Sequence, residues 1–244
     1  MEINETGTLS PALYLIPVTL GSTPLEQVLP SYNKEIILGI RHFIVEEIRT
    51  ARRFLKQVDR NIDIDQLHFQ PMGKHADAAQ FSRYLDPLRK GEPIGIISEA
   101  GCPAVADPGA DVVAIAQREG LKVVPLVGPS SILLAVMASG FNGQSFAFHG
   151  YLPIDSSQRT KRLKQLEARA TTEDQTQLFI ETPYRNAKLF ADICAACSPN
   201  TRLCVAAGLT TEQEWIRTRR IKEWKQCGLP DLGKIPAIFL IYRG

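Results

Sequence analysis

The sequence predicts an α/β protein of two domains, an N-terminal one around a mostly parallel sheet and a C-terminal one around a mixed sheet. Three observations carry this. Up to Val127, short β-branched apolar runs alternate with helically spaced segments, the pattern of βαβ units and a parallel sheet. Those runs end in Gly/Pro-rich turns: PVTLGS (17–22), SEAGCP (98–103) and VGPSS (127–131). After GPSSILLAVMASG the texture changes to strands that follow one another closely, as antiparallel pairing requires.

Taken in order, LYLIPV (13–18) reads as a strand, TPLEQVLP as a helix start that NKEIILGIR continues, and FIVEE (43–47) as a second strand. Arg49 to Val58 is a helix, LHFQPM a strand, Ala76 to Arg89 a helix and IGIIS a strand. Asp107-Pro108-Gly109 reads as a helix start, with Asp as cap and Pro in the first turn of a helix running to Glu119. KVVPLV (122–127) closes the first domain, residues 1–127, and residues 128–244 form the second. There GPSS opens a helix, FAFHGYLP (146–153) alternates, and Ser156 to Ala170 is a strongly basic helix. QLFIET (177–182) is a strand, PYRNAKLFADICAAC a helix and LCVAAG (203–208) a strand. EWIRTRR, IKEWKQ and PAIFLIYR follow as strand, short helix and strand.

Composition narrows the class. A chain of 244 residues with 44% apolar and 22% charged residues is ordinary for a globular protein. A net charge of +2 builds no strong field and does not by itself mark a nucleic-acid binder. The longest apolar stretches are about ten residues, half of a membrane span. MEINETGTLSPA has neither the basic nor the apolar region of a secretion signal, so a cytoplasmic location is expected. The five cysteines lack disulfide-scaffold spacing; Cys194 and Cys197 form a lone CxxC late in a helical pattern, which reads as helix packing. No His/Cys/Asp cluster has metal-ligand spacing, so no metal is expected.

The loop from Ser98 to Ala106 is longer than an ordinary βα connection. Gly101 and Pro103 within it, with Pro108 and Gly109 just beyond, leave stiff, bare backbone at the carboxyl end of a strand, where open α/β sheets bind ligands. Neither GxGxxG nor GxxxxGK[ST] is present. The three turns therefore suit a ligand held by backbone amides, small side chains and apolar contacts rather than by its phosphates.

LYLIPVTLGS, EEIR, SEAGCPAVADPG, VPLVGPSS, FHGYLP, IETPYR and PAIFLIYRG stand in the order of one family. The chain resembles the tetrapyrrole methylases, and within them the ribosomal small-subunit methyltransferase I type, over nearly its whole length from Leu13 to Gly244. The resemblance implies a homodimer, with S-adenosylmethionine in the cleft between the two α/β domains and small-subunit ribosomal RNA methylated at a ribose 2′-hydroxyl. It places Pro17 beneath the cofactor, with Ser98, Glu99, Ala100, Gly101 and Cys102 along its methionine and ribose side. Gly128 is implied as a second close approach of backbone, and Ser130, Ser131 and Ile132 as contacts to the tail. Ile180, Glu181, Ala207, Pro236 and Ala237 are implied around the adenine. The sequence departs from the family pattern at Glu99 and Cys102, where Asp and Thr are usual, and in EEIR and ETPYR; a short C-terminal domain common in the ribosomal enzymes is missing.

In-line methyl transfer depends mostly on alignment, with a carboxylate in reach of the acceptor's proton. Glu47, Glu99 and Glu181 fall at predicted strand ends and are candidates, each weighed against capping a neighbouring helix. Arg49 and Arg185 are candidates to hold a phosphate or acidic group, weighed against ion pairs with these same glutamates. Tyr184 stands beside Arg185 as a further substrate contact. Three basic clusters occur: Arg49, Arg52, Arg53 and Lys56; Arg159, Lys161, Arg162 and Lys164; and Arg217 to Lys225. The second, beside GYLP, is the expected contact to an RNA backbone. His75 is placed near a substrate rim and His149 in the second domain's sheet. Two alternatives stand beside this reading: methylation of a small tetrapyrrole-like molecule, and a non-catalytic cofactor- or RNA-binding relative.

Overall fold

The computed structural model describes residues 9–72 and 78–244. The chain divides into two compact units, Met1–Ser130 and Ser131–Gly244.

In the first unit the order is β1 (Leu13–Ile16), α1 (Leu25–Val28), α2 (Ser31–Leu38), β2 (His42–Val45), α3 (Ile48–Val58), β3 (His68–Pro71), α4 (Ala78–Tyr84), α5 (Asp86–Arg89), β4 (Ile94–Ile97), α6 (Ala110–Arg118) and β5 (Val123–Pro125). The strands form one sheet in the order β3-β2-β4-β1-β5. Every pairing in it is parallel. Its central strands are apolar on both faces, and IGII of β4 is buried throughout, as a sheet covered by helices on both sides requires.

Two cores divide by face. Tyr14, Ile16, Phe43 and Val45 pack with Ile36 and Ile37 of α2 and with Ala51, Phe54, Leu55 and Val58 of α3. Leu13, Ile44, Ile94 and Ile96 pack on the other face with Tyr84, Leu85 and Leu88 and with Val112, Ile115 and Ala116 of α6. Gly95 lets the aromatic layer close over β4: a Cβ there would lie 2.6 Å from Ile16 Cδ1 and 3.0 Å from Phe43.

The second unit contains α7 (Ser131–Ser139), β6 (Phe146–Tyr151), α8 (Ser156–Thr172), β7 (Thr176–Ile180), α9 (Asn186–Ala196), β8 (Arg202–Ala207), β9 (Trp215–Arg220), α10 (Ile221–Cys227) and β10 (Ala237–Tyr242). Its sheet runs β6-β7-β10-β8-β9. β6 and β7 are parallel and the other pairs antiparallel, which makes the sheet mixed. Phe179, Phe239, Ile241 and Val205 face α8, α9 and α10 in one core, where the Trp224 indole donates to Leu203 O at 2.9 Å. α7 packs against β8, β9 and β10, and Thr218 donates to Ser139 O at 2.8 Å. Thr218 lies opposite Cys204, one residue out of phase with the core-facing Leu203 and Val205, so α7 covers the other face.

Four boundaries differ from the sequence reading. The helix expected across TPLEQVLP and NKEIILGIR breaks at Pro30, which cannot donate a helical hydrogen bond. The segment to Arg89 splits at Leu85, just ahead of Pro87; its expected first residues lie outside the described residues, as does His75. PYR forms a separate 3-10 turn, Pro183–Arg185, before α9. The helix after ADPG begins at Ala110, behind Gly109 with φ 122°, and no side chain caps it. Asp107 is therefore not a cap.

Candidate functional site

The parallel sheet itself selects a place. The helices linking β1 to β2 and β2 to β3 cover one face, and those linking β3 to β4 and β4 to β5 cover the other. β1 and β4 are neighbours, so the loops at their carboxyl ends leave toward opposite faces. Such a switch point opens a crevice for a ligand. The two loops are PVTLGS and SEAGCP.

The loops are fastened to each other and to the segment after β5. Val18 N donates to Gly101 O at 2.9 Å, and the Cys102 thiol points to Pro129 O at 3.5 Å. Asn33 of α2 donates to Val127 O at 2.8 Å. Gly101 has φ 70°, and a Cβ on it would meet Leu20 at 3.1 Å and Pro129 O at 3.4 Å. A Cβ on Gly128 would lie 2.3 Å from Pro17 Cγ. These glycines thus serve the approach of loop to loop, where the sequence reading had assigned their space to a ligand. Pro17 and Ser98 are buried beneath this surface, while Glu99 and Ala100 are exposed on it. Ser130 ends the first unit; Ser131 and Ile132 open α7, and all three are half-buried.

Glu99 reaches the helix that follows β2. Thr50 Oγ1 donates to Glu99 Oε1 at 2.5 Å, with Glu47 O 3.0 Å from the same hydroxyl. Asp107, half-buried, has its carboxyl pushed up by burial; the Ser98 hydroxyl opposes this and the Glu99 charge adds to it. Neither Thr50 nor Asp107 is among the site residues expected from the sequence. The ADPG string carried the signal for Asp107 but was read as a helix start. No local pattern distinguishes Thr50, whose role depends on β2 and β4 being neighbours.

The other two candidate glutamates have partners within the fold. Glu47 caps α3, accepting from Arg49 N at 3.1 Å. Glu181, almost fully buried, accepts from Thr182 N at 2.7 Å and pairs with Arg185 at 2.6 Å. In the second unit, Ala237 pairs with Ala207 and Ile238 with Ile180, and Gly208 N donates to Pro236 O at 3.1 Å. Ile180, Ala207, Pro236 and Ala237 therefore gather at one end of the three central strands of the mixed sheet. Arg185 Nε and Asn186 Oδ1 are buried there without a hydrogen-bond partner among the described residues, two polar valences that a ligand or water would satisfy.

The expected basic surface on α8 needs correction. Arg159 is buried, donating to Asp192 at 2.5 and 2.7 Å and to the carbonyls of Pro153 and Ile154. It is a structural bolt. Arg162 lies 3.2 Å from His149 Nδ1, and His149 Nε2 lies 2.7 Å from Gln177 Oε1. Burial, first of all, holds the His149 imidazole below its usual pKa, against the Gln177 hydrogen bond, which raises it. A neutral ring that donates from Nε2 and accepts from Arg162 satisfies both contacts. Lys161 and Lys164 are exposed, as is Tyr184, with Lys234 Nζ 5.5 Å from its ring centre. Cys194 and Cys197 are core residues whose thiols burial pushes up to about 11 and about 12. Among the described residues no group of three or more His, Cys, Asp or Glu could hold a metal, and no helix is long and apolar enough to cross a membrane.

Comparison with known proteins gives the family and the fold. The family model Tetrapyrrole (Corrin/Porphyrin) Methylases matches residues 29–224. Ribosomal RNA small subunit methyltransferase I of Vibrio cholerae serotype O1 is 27% identical over 214 residues, covering 88% of this chain and 70% of that protein. The protein of the same name from Escherichia coli O157:H7 is 28% identical over 211 residues, covering 86% and 70%. Among solved structures, the methyltransferase CobJ superposes with a TM-score of 0.62 at 15% identity, covering 96% of this chain and 95% of that one. Uroporphyrin-III C-methyl transferase from Thermus thermophilus, complexed with S-adenyl homocysteine, gives 0.56 at 15% identity, covering 95% and 97%. These two share the fold. With the family match spanning most of both units, the chain belongs to the tetrapyrrole methylases, S-adenosylmethionine-dependent methyltransferases.

Proposed function

We propose that the protein methylates a ribose 2′-hydroxyl of small-subunit ribosomal RNA. The observation that carries the reading is the switch point of the parallel sheet, where three fastened loops present bare backbone beside two carboxylates in a chain of methylase descent. The relatives named for ribosomal RNA extend the match over most of the chain.

The residues present fit the cofactor. Backbone amides and carbonyls of residues 98–102 and 128–131 suit its amino acid and ribose, and the Glu99 and Asp107 carboxylates suit its positive charge. When bound, S-adenosylmethionine supplies the activated methyl group. Glu99, oriented by Thr50, would accept the proton that the acceptor hydroxyl gives up on methylation. The fixed loops hold acceptor and methyl in line. Arg49, at the first turn of α3 beside Thr50, and Tyr184 and Arg185 in the second unit are offered as contacts to the RNA. Ile180, Ala207, Pro236 and Ala237 are offered as the adenine surround.

The test is incorporation of tritiated methyl into small ribosomal subunits from a strain lacking the gene. Incorporation is expected, and Glu99→Gln is expected to lower it ten-fold or more, the lower end of what a positioned acid–base group supplies. Bound cofactor without incorporation by the parent protein would shift the reading to a small porphyrin-like acceptor, of the kind that the Thermus thermophilus neighbour is named for, or to a non-catalytic relative. A cytoplasmic location goes with a ribosomal substrate. A homodimer is proposed with it, on the exposed apolar side chains Leu133, Met137, Tyr151 and Ile154; a monomeric sedimentation mass would refute it.

A further inference from the structure

The α3 helix divides sharply. Ala51, Phe54, Leu55 and Val58 are buried in the core, and Arg49, Arg52, Arg53 and Lys56 are exposed. The cations stand at positions i, i+3, i+4 and i+7, which lines them along one side of the helix over about 10 Å. α3 contains no acidic residue, and among the described residues none of the four cations has a carboxylate partner. Arg52 lies over the Phe69 ring at 5.3 Å and Lys56 donates to Arg60 O at 3.1 Å, contacts that leave both charges uncompensated. The basic helix α8 behaves otherwise: Arg159 and Arg169 are paired with acids and Arg162 faces His149.

We infer that the α3 stripe is the track along which the sugar–phosphate backbone of the RNA substrate approaches the site. The inference rests on the proposed function. The stripe begins at the residue next to Thr50, whose hydroxyl holds Glu99, so it is continuous with the methylation site. A membrane surface is disfavoured, because an interfacial helix must present an apolar face and that of α3 is spent in the core. A row of unpaired cations on a rigid helix instead complements a row of phosphates.

The test is the triple variant R52Q/R53Q/K56Q, which spares Arg49. Gln has nearly the helix propensity of Arg and Lys, and all three sites are exposed, so the fold is retained. Binding of a fluorescein-labelled single-stranded oligoribonucleotide and of purified small subunits is measured against salt, with K161Q/K164Q as the comparison. The slope of log affinity against log salt should flatten by about 2, at roughly 0.7 for each lost phosphate contact. Stabilisation by S-adenosylmethionine should match the parent's, and K161Q/K164Q should retain more of the slope. A triple variant with the parent's affinity and slope overturns the inference while leaving the proposed function intact. A parent that neither binds RNA nor transfers methyl to small subunits removes the proposed function, and the inference with it.

Discussion

At the residue scale, Asp107 shows where a local rule and a site disagree. Asp-Pro-Gly is a good helix start by composition, yet here the carboxylate sits half-buried between Ser98 and Glu99. Its folded-state pKa is raised, so between its ordinary value and the raised one the folded state binds more protons than the unfolded chain. Stability is therefore lost as pH rises through that window, and above it the buried charge is a standing cost. Asp107→Asn is expected to raise the melting temperature at pH 7, at roughly 2–4 °C per kcal/mol for a chain of this size. The gain should shrink toward pH 4 as the parent carboxyl takes up its proton. A melting temperature unchanged at pH 7, or a gain that grows on acidification, would contradict the burial argument. The same neighbourhood shows what one sequence conveys. The SEAGCP turn and its glycine were legible because backbone conformation leaves a local mark; the hydroxyl that orients Glu99 was not, because Thr50 is forty-nine residues away and meets it only through strand pairing.

At the scale of elements, α8 shows a periodic signal read for charge before it was read for burial. Arg159, Leu163, Leu166 and Ala170 are the buried positions of this helix, and their spacing is that of a single stripe. Arg159 continues the apolar stripe by one turn toward the amino end, which marks it as inward-facing whatever its charge. Its guanidinium then closes the turn ahead of α8 by holding Pro153 O, Ile154 O and Asp192 together. Removing one partner of such a pair leaves the other's charge poorly solvated. Arg159→Gln is thus expected to destabilise the protein by about 3 kcal/mol, the low end for buried pairs because Asp192 keeps some exposure. The salt dependence of RNA binding should be unchanged, as measured by denaturant unfolding beside the binding titration. Loss of slope with full stability would return Arg159 to the RNA surface. The strand and helix order was legible throughout because β-branched runs and 3.6-residue spacing are local; the breaks at Pro30 and Leu85 were blurred because apolar spacing continued across them.

At the scale of the whole molecule, the chain has two units, the first with a core on each face of its sheet and the second with its own, and the features proposed as cofactor contacts in the first are loops rather than core residues. Pro17 packs against Gly128 and Val18 N donates to Gly101 O, so those loops are fastened to one another by the protein's own contacts. A largely pre-formed surface loses little ordering entropy on binding, so most of the binding energy should appear as stabilisation of the folded state. A ligand that binds only the folded protein adds roughly 2.7 kcal/mol at a hundredfold excess over its dissociation constant. For a chain of this size that is a rise in melting temperature of roughly 5–11 °C. S-adenosylmethionine is expected to produce it. ATP and NAD at the same concentration should produce far less, because neither phosphate-binding loop motif is present to receive their charged groups. A differential scanning measurement with the three ligands decides the matter: equal shifts would show a site that reads only the shared adenosine, and no shift with S-adenosylmethionine would remove these loops as its seat. Gly128→Val is a poor control, since its side chain would strike Pro17 and disturb the loops themselves. Cys102→Ser is the better one. It keeps the size of the side chain and its approach to Pro129 O, so the shift should survive in that variant, confirming that the backbone rather than the thiol holds the ligand.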